Sequence, residues 1–175
     1  STQDVLLESA YFNPTNIRAT SKATRLYTDA SYRFERGADI ETTDWVSQRA
    51  AQLIVEVAGG ELAAGAVDAF PSPIKQTEIT LRHQKVDELL GISLMAEENV
   101  GYLKGLELEV LESSGDEGIF RIPTWRVDLK RETDLIEEIC RLHGVGRIPA
   151  APPRGVLGES AFDSVHDELA EARAI

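Results

Sequence analysis

The sequence has little sulfur and few aromatic residues: one cysteine, one methionine and 6% Phe, Trp and Tyr in 175 residues. A single cysteine cannot form an internal disulfide bond. Cys140 occupies an apolar position in a segment with helical periodicity. We therefore expect a buried, unreactive thiol rather than a nucleophile.

Long apolar runs are also missing. No stretch approaches the ~20 apolar residues that a membrane helix needs, and residues 1–5 lack the basic segment and apolar core of a secretion signal. The sequence therefore predicts a soluble, cytoplasmic chain without a membrane segment. With 42% hydrophobic residues, the chain can bury one ordinary core or two small ones.

Positive charge is scarce, with 18 basic residues against 30 acidic ones and a net charge of -12. Such a balance opposes tight binding to a phosphate backbone over the whole surface. The exception is the segment 13–36, which has five basic and two acidic residues. A phosphate contact or a solvated basic helix face would explain this segment, and the solvated face is the commoner of the two.

Familiar catalytic and cofactor motifs are absent as well. The sequence has no Ser-His-Asp ordering, no CxxC pair, no phosphate-binding loop and no dinucleotide fingerprint. Its histidines, His83, His143 and His166, are too scattered along the chain for a metal triad.

The first part of the chain predicts mixed structure. Residues 5–12 are mostly apolar and are stopped by Asn13-Pro14, which favours a largely buried strand. Because a buried strand needs neighbours, we expect more of this domain to precede the chain in its parent. Asn13 is a suitable cap, with Pro14 at the first position, for a basic helix to about residue 23.

The patterns that follow predict a helix and a weaker strand before a boundary. Apolar residues recur at helical spacing over 41–58, and Gly59-Gly60 can end that helix. Residues 62–70 favour a strand. The stiff segment Pro71-Ser72-Pro73 then predicts a domain boundary.

A second unit follows, for which we predict the order β-α-α-β-β-α and hence an α+β fold. Beyond residue 149, the segment 150–155 has the composition of a linker, and the last twenty residues are too poor in apolar positions to form a core. The predicted elements are a strand at 77–82, a helix ended by Gly91, a helix near 95–104 capped by Ser93, strands at 106–110 and 119–122 joined through Gly115, and a helix at 132–143.

Four acidic residues stand close together before and within the last of these helices: Asp128, Asp134, Glu137 and Glu138. Asp134 and Glu138 lie one turn apart on the same helical face, and Asp128 on the approach could complete an oxygen cage. Oxygen ligands of this kind suit magnesium. Acidic residues in a first turn also cap a helix and favour its dipole, and the spacing alone favours that role.

A second candidate site combines Glu8 with the small and hydroxyl-bearing segment Tyr27-Thr28-Asp29-Ala30-Ser31. A carboxylate in an apolar strand is costly unless it is paired or hydrogen-bonded. Glu8 therefore predicts a partner, either Arg33, Arg36 or the hydroxyl group of a ligand. The alternative is a Glu8 that faces water at a strand edge.

Several of these segments resemble the bacterial phenylalanyl-tRNA synthetase beta subunit. VLLESAYF at 5–12 and YTDASYRFERG at 27–37 are similar to the end of its editing domain. IPTWRVDL at 122–129, ETDLIEEI at 132–139 and GRIP at 146–149 are similar to the domain after it. The family usually has Gly where this chain has Arg25, and Val-Asp-Pro where it has Ala38-Asp39-Ile40.

The resemblance implies a division of the chain into three parts. Residues 1–72 would be the C-terminal part of an α/β tRNA-editing domain, residues 73–149 a small α+β domain resembling helix-turn-helix DNA-binding folds, and residues 150–175 a linker and the start of a catalytic-like domain. From residue 73 to residue 148 there are ten basic and fifteen acidic residues, which opposes DNA binding.

The resemblance also implies a function, the ATP-dependent attachment of phenylalanine to its tRNA with hydrolytic editing of wrongly attached tyrosine. Glu8 would accept a hydrogen bond from the tyrosine hydroxyl, and Thr28 and Ala30 would shape the pocket. A pocket for a phenyl ring cannot strongly reject a ring with an added hydroxyl, so a second site is needed. The other pocket wall would precede residue 1, so we expect little editing by this chain alone. As an internal piece of the subunit, it is also not expected to catalyse aminoacylation by itself.

The family further implies a magnesium ion held by Asp128, Asp134, Glu137 and Glu138 at the contact with the alpha subunit of an alpha2-beta2 heterotetramer. Phenylalanine tRNA would be the other partner, and no membrane or DNA is expected. Two alternatives stay open, a nucleic-acid-binding module built on the helix pair and a scaffold for subunit assembly without a metal.

Overall fold

The computed structural model describes residues 3–150 and 164–173. The element order from residue 78 to residue 143 is β-α-α-β-β-α, which confirms that prediction and the α+β class. In chain order the elements are α1 (Pro14–Thr24), α2 (Asp29–Phe34), α3 (Thr43–Ala58), β1 (Glu78–Arg82), α4 (His83–Leu90), α5 (Ala96–Gly105), β2 (Glu109–Ser113), β3 (Glu117–Arg121), α6 (Glu132–His143), a 3-10 turn (Val145–Arg147) and α7 (Ser164–Arg173).

The three strands form one antiparallel sheet in the order β1-β3-β2. Its register pairs Ile79 with Phe120, and the ladder between β2 and β3 is irregular between Val110 and Glu112. Because side chains alternate across a strand, Ile79 and Leu81 on β1 face the same side as Phe120. That side carries the core, and the opposite side of β1 is exposed.

Helices α4, α5 and α6 cover the apolar side of the sheet. The core is formed by residues from the range 79–139. Each fully buried Leu, Ile or Phe stabilises the fold by about 1.5–3 kcal/mol relative to an exposed position. The buried apolar residues are Ile79, Leu81, Val86, Leu103, Leu108, Phe120, Ile122, Leu129, Leu135, Ile136 and Ile139.

Helices α1 and α3 begin and end much as the sequence predicts, whereas α2 was not predicted. Asn13 caps α1 by accepting a hydrogen bond from the Asn16 amide at 3.1 Å, and Pro14 is the first helical residue. Helix α3 ends at Gly59 with φ 73°. No residue of α2 or α3 is buried, in contrast to α4, α5 and α6.

Two predicted strands are wrong. Residues 5–12 and 62–70 form no strand, and Leu6 is 97% exposed. An apolar run becomes a strand only when a neighbour satisfies its backbone groups, and the described residues pair no strand with either run. The predicted linker at 150–155 lies outside the described residues apart from its first residue.

The predicted cap of α5 is also wrong. Ser93 does not cap the helix; its hydroxyl donates to Asp87 Oδ2 at 3.1 Å, and the Leu94 amide donates to the other oxygen at 3.0 Å. Helix α5 begins after Met95, whose amide donates to the Glu98 carboxylate at 3.1 Å. Because the Ser93 hydroxyl is bonded to Asp87 on α4, it does not cap α5.

Other sequence predictions have mixed outcomes. Cys140 is a free cysteine, and it is half-buried rather than fully buried as expected. No helix among residues 3–150 and 164–173 has both the length and the apolar character needed to cross a bilayer. The domain limits near residues 72 and 149, and the likeness to helix-turn-helix folds, stay predictions.

Candidate functional site

The segment that leads into α6, residues 129–135, is held in place by its own side chains. Leu129, before the helix, and Leu135, in its first turns, are buried in the core. Asp134 is the third helical residue, and its Oδ2 accepts hydrogen bonds from the backbone amides of Lys130 and Arg131, each at 2.8 Å. These bonds satisfy amides that precede the helix, so Asp134 has the capping role that the spacing favours.

Arg126 links two carboxylates of the acidic cluster, Asp128 and Glu138. Its Nε donates to Asp128 Oδ1 at 3.0 Å, and its Nη2 donates both to Asp128 Oδ2 at 2.7 Å and to Glu138 Oε1 at 2.6 Å. Arg141 donates to the other oxygen of Glu138, with Nε at 3.1 Å. Two carboxylates that are ten residues apart in sequence therefore meet at one guanidinium group.

The ionisation of the cluster follows from this geometry. The hydrogen bond from Arg126 lowers the pKa of Asp128, and the same bond raises the pKa of Arg126. Partial burial by itself would raise the pKa of Glu138, but the hydrogen bonds from Arg141 and Arg126 outweigh it, and the pKa is lowered. Arg126, Asp128 and Glu138 are therefore charged at neutral pH.

The structure brings together two of the four carboxylates that the sequence singles out. Asp128 and Glu138 face the same nitrogen atom, whereas Asp134 uses Oδ2 for capping and Glu137 is exposed. Among the described residues, no group of three or more His, Cys, Asp or Glu side chains is arranged to hold a metal ion. The four-residue ligand set thus stays a prediction, and the expected cage is not assembled around one point.

The donor set nevertheless fits magnesium in a more limited way. Magnesium in proteins usually keeps several waters and binds through one or two carboxylates. Asp128 and Glu138 supply two carboxylate oxygens on either side of a cationic nitrogen, and the side chain of Asp128 is 59% exposed. Water and a partner could therefore reach this pair.

Sequence reasoning did not single out Arg126 or Arg141. An arginine two residues before an aspartate is a common pattern on a polar surface, and its spacing does not predict that it also reaches α6. Arg141 follows Glu138 at helical spacing i, i+3, which could have indicated a pair.

The residues of the second candidate site are exposed. Glu8 lies in the segment before α1, and it makes no hydrogen bond or ion pair with the rest of the described residues. Thr28 caps α2: its hydroxyl accepts from the Ser31 amide at 3.1 Å, and its own amide donates to Ser31 Oγ at 2.9 Å. Ala30 follows in the first turn of α2. The exposed alternative for Glu8 is therefore the one that this structure displays.

Contacts hold the segment of Glu8 against the helices that follow it. The rings of Phe12 and Phe34 pack edge to face with centroids 5.0 Å apart, and Ser9 Oγ donates to the Thr43 carbonyl at 2.8 Å. Arg36, a predicted partner of Glu8, instead pairs with Glu35 at 3.0 Å. The role of Glu8, Thr28 and Ala30 as an editing pocket stays a prediction.

Comparison with known proteins identifies both parts of the chain. Residues 1–59 match the B3/4 domain family and residues 79–145 match the tRNA synthetase B5 domain family. The Phenylalanine--tRNA ligase beta subunit of Syntrophotalea carbinolica is 46% identical over 157 residues, which are 88% of this chain and 20% of that protein. The chain belongs to the phenylalanine–tRNA ligase beta-subunit family.

The likeness extends over almost the whole chain in other beta subunits. The protein of the same name from Salinibacter ruber is 45% identical over 173 residues, 99% of this chain and 21% of that protein. The one from Rhodopirellula baltica is 39% identical over 97% of this chain and 25% of its own length. The chain thus spans about a fifth to a quarter of the length of these curated relatives.

Proposed function

We propose that this chain serves as the B3/4 and B5 part of a phenylalanine–tRNA ligase, an enzyme that attaches phenylalanine to its tRNA at the expense of ATP in the cytoplasm. The match of two domain families in the same chain, together with 46% identity to a beta subunit, supports this proposal. Its partners would be the alpha subunit, in an alpha2-beta2 heterotetramer, and phenylalanine tRNA. Its role within the enzyme would be assembly and editing rather than the ligation step.

The acidic cluster would hold magnesium at the contact with the alpha subunit, with ligands drawn from Asp128, Asp134, Glu137 and Glu138. When bound, the ion would neutralise carboxylates of the cluster. Asp128 and Glu138 support this assignment best because their oxygens already face one cationic atom. Asp134 has a second oxygen besides the one that caps α6, so capping and metal binding are compatible roles.

Binding to an alpha subunit tests this assignment. This chain would be immobilised and presented with a purified phenylalanine–tRNA ligase alpha subunit, in magnesium and then in EDTA. We expect capture in magnesium, weaker capture in EDTA, and weak capture of Asp134→Asn under both conditions, since Asn keeps a capping oxygen but loses the charge. Equal capture of all forms with and without magnesium would contradict the metal assignment.

The surface of Glu8, Thr28 and Ala30 would form one wall of an editing pocket. Glu8 would accept a hydrogen bond from the hydroxyl of wrongly attached tyrosine, which phenylalanine lacks, and this difference can discriminate strongly between the two. Glu8 is exposed, and the Thr28 cap fixes the start of α2. Both observations support a surface that a ligand can reach.

Hydrolysis of tyrosine-charged phenylalanine tRNA tests the editing role. Since the pocket would need a second wall, we expect little hydrolysis by this chain alone. A whole beta subunit should hydrolyse the ester, and the exchange equivalent to Glu8→Ala should reduce that rate. Rapid hydrolysis by these 175 residues, or an unchanged rate in the Glu8 variant, would contradict the proposal.

A further inference from the structure

The guanidinium of Arg126 occupies the space where the two best-placed carboxylates face each other. Its Nη2 is 2.7 Å from Asp128 Oδ2 and 2.6 Å from Glu138 Oε1. The side chains of Arg126 and Glu138 are only 18% and 13% exposed, so the arginine is held within the protein surface. A guanidinium carries its charge at any physiological pH. The pair is therefore never without a cation while Arg126 keeps this position.

A divalent cation would need the same oxygen atoms. Magnesium binds oxygen at about 2.0–2.1 Å, closer than the nitrogen of Arg126 lies to either carboxylate. Two positive charges confined between the same two oxygens would repel each other strongly in this partly buried place. Arg126 would therefore have to leave at least one carboxylate before both could bind an ion.

We propose that Arg126 is an internal stand-in for the divalent cation. It holds Asp128 and Glu138 together in the metal-free chain and gives way when the ion enters. This inference rests on the magnesium site of the proposed function and adds to it a competition between arginine and metal. The need to break the Arg126 pairs lowers the apparent affinity for the ion, as any rearrangement that must precede binding does.

A purely supporting role for Arg126 predicts the opposite result. Residues that orient metal ligands through hydrogen bonds increase affinity, and their removal typically weakens binding by about 10–100-fold. Competition predicts tighter binding when the arginine is removed. The sign of the change in affinity therefore decides between the two roles.

The experiment is a manganese titration of this chain, with free Mn²⁺ measured by electron paramagnetic resonance. Arg126→Met removes the charge at similar side-chain length. Arg141→Met is the matched control, since Arg141 also pairs with Glu138 but donates no hydrogen bond to Asp128. Arg121→Met removes a charge on the sheet, where Arg121 pairs with Glu78 and Glu109.

We expect Arg126→Met to bind Mn²⁺ about tenfold more tightly than the unchanged chain, the factor that corresponds to about 1.4 kcal/mol. Arg141→Met should gain clearly less, and Arg121→Met should bind like the unchanged chain. Circular dichroism would check the fold of each variant. If Arg126→Met does not fold, Arg126→Lys keeps the charge without the planar fork, and we expect a smaller gain in affinity.

Unchanged or weaker Mn²⁺ binding by Arg126→Met would overturn the inference. Equal gains in Mn²⁺ affinity for Arg126→Met and Arg141→Met would overturn it too, because they would reflect only the total charge. If Asp134→Asn weakens Mn²⁺ binding while Arg126→Met leaves it unchanged, the metal site stands and the stand-in role fails. Absence of Mn²⁺ binding in every form would overturn both.

Discussion

Gly37 lies directly against the side chain of Val127: a Cβ atom placed on Gly37 would be 3.2 Å from Val127 Cβ and 3.3 Å from Cγ1. Gly37 also has φ +99°, a conformation that residues with a side chain rarely adopt. Val127 stands between Arg126 and Asp128 in sequence. The segment after α2 therefore packs on the loop that supplies the acidic cluster with its arginine.

We expect Gly37→Ala to lower the free energy of unfolding by about 1–3 kcal/mol, because the new methyl group adds backbone strain and crowds Val127. Gly60→Ala is the matched control, since Gly60 has φ +102° but nothing within 4 Å of the added Cβ atom. Urea denaturation of both variants separates strain from crowding. An equal loss in the two would show that the contact with Val127 contributes nothing.

Arg25 ends α1 in the left-handed conformation, with φ 57°. Glycine adopts that conformation without a steric cost, so the backbone here gives a physical reason for the family glycine that the resemblance implies at this position. We expect Arg25→Gly to raise the free energy of unfolding by about 1 kcal/mol. Arg25→Ala removes the same charge but keeps a Cβ atom, so its free energy of unfolding should rise less. Thermal unfolding would measure both variants. Equal effects would contradict the strain explanation.

The fold of residues 78–143 could be predicted because its patterns are strong. The bounds of α6 agree with the sequence, since Leu135, Ile136 and Ile139 repeat at helical spacing and are buried. The runs 5–12 and 62–70 misled because an apolar composition says nothing about whether a strand partner exists. Local patterns therefore sufficed for the predicted helices and for the strands that pair beside the core, and they failed for the two apolar runs that have no strand partner among the described residues.

The candidate site was predicted only in part for a related reason. The positions of Asp134 and Glu138 follow from the helix that carries them. The link from Arg126 to Glu138 spans a loop and a helix, and it depends on how Leu129 and Leu135 anchor them in the core. A long-range ion pair of this kind leaves no periodic signal in the sequence.

The capping role of Asp134 can be tested without a metal. In EDTA we expect Asp134→Ala to destabilise the chain by about 1 kcal/mol, since the amides of Lys130 and Arg131 lose their acceptor. Asp134→Asn should lose less, because its amide oxygen still accepts. Urea midpoints measure both. If Asp134→Ala is as stable as the unchanged chain, the hydrogen bonds contribute nothing to folding.

Acid should weaken the contact between α6 and β1. Arg82 donates to Glu132 at 3.0 and 2.6 Å, and the side-chain hydrogen bond from Arg82 lowers the pKa of Glu132. A lowered pKa contributes stability that is present above the unfolded value of about 4.3 and is lost as the pH falls through the lower, folded value. In EDTA, the stability advantage over Glu132→Gln should therefore shrink from pH 6 to pH 3. An advantage that stays constant over this range would contradict the assignment.

The exchange of Arg126 for a divalent ion is the central claim, and the side-chain Nε–H signal of Arg126 tests it most directly. In the metal-free chain this group donates to Asp128 Oδ1 at 3.0 Å. In a nuclear magnetic resonance titration with Mg²⁺, we predict that the signal shifts and saturates as the guanidinium leaves the carboxylates, while the signal of Arg82 stays in place. An Arg126 signal that does not move while Mg²⁺ binds to the chain would contradict the account.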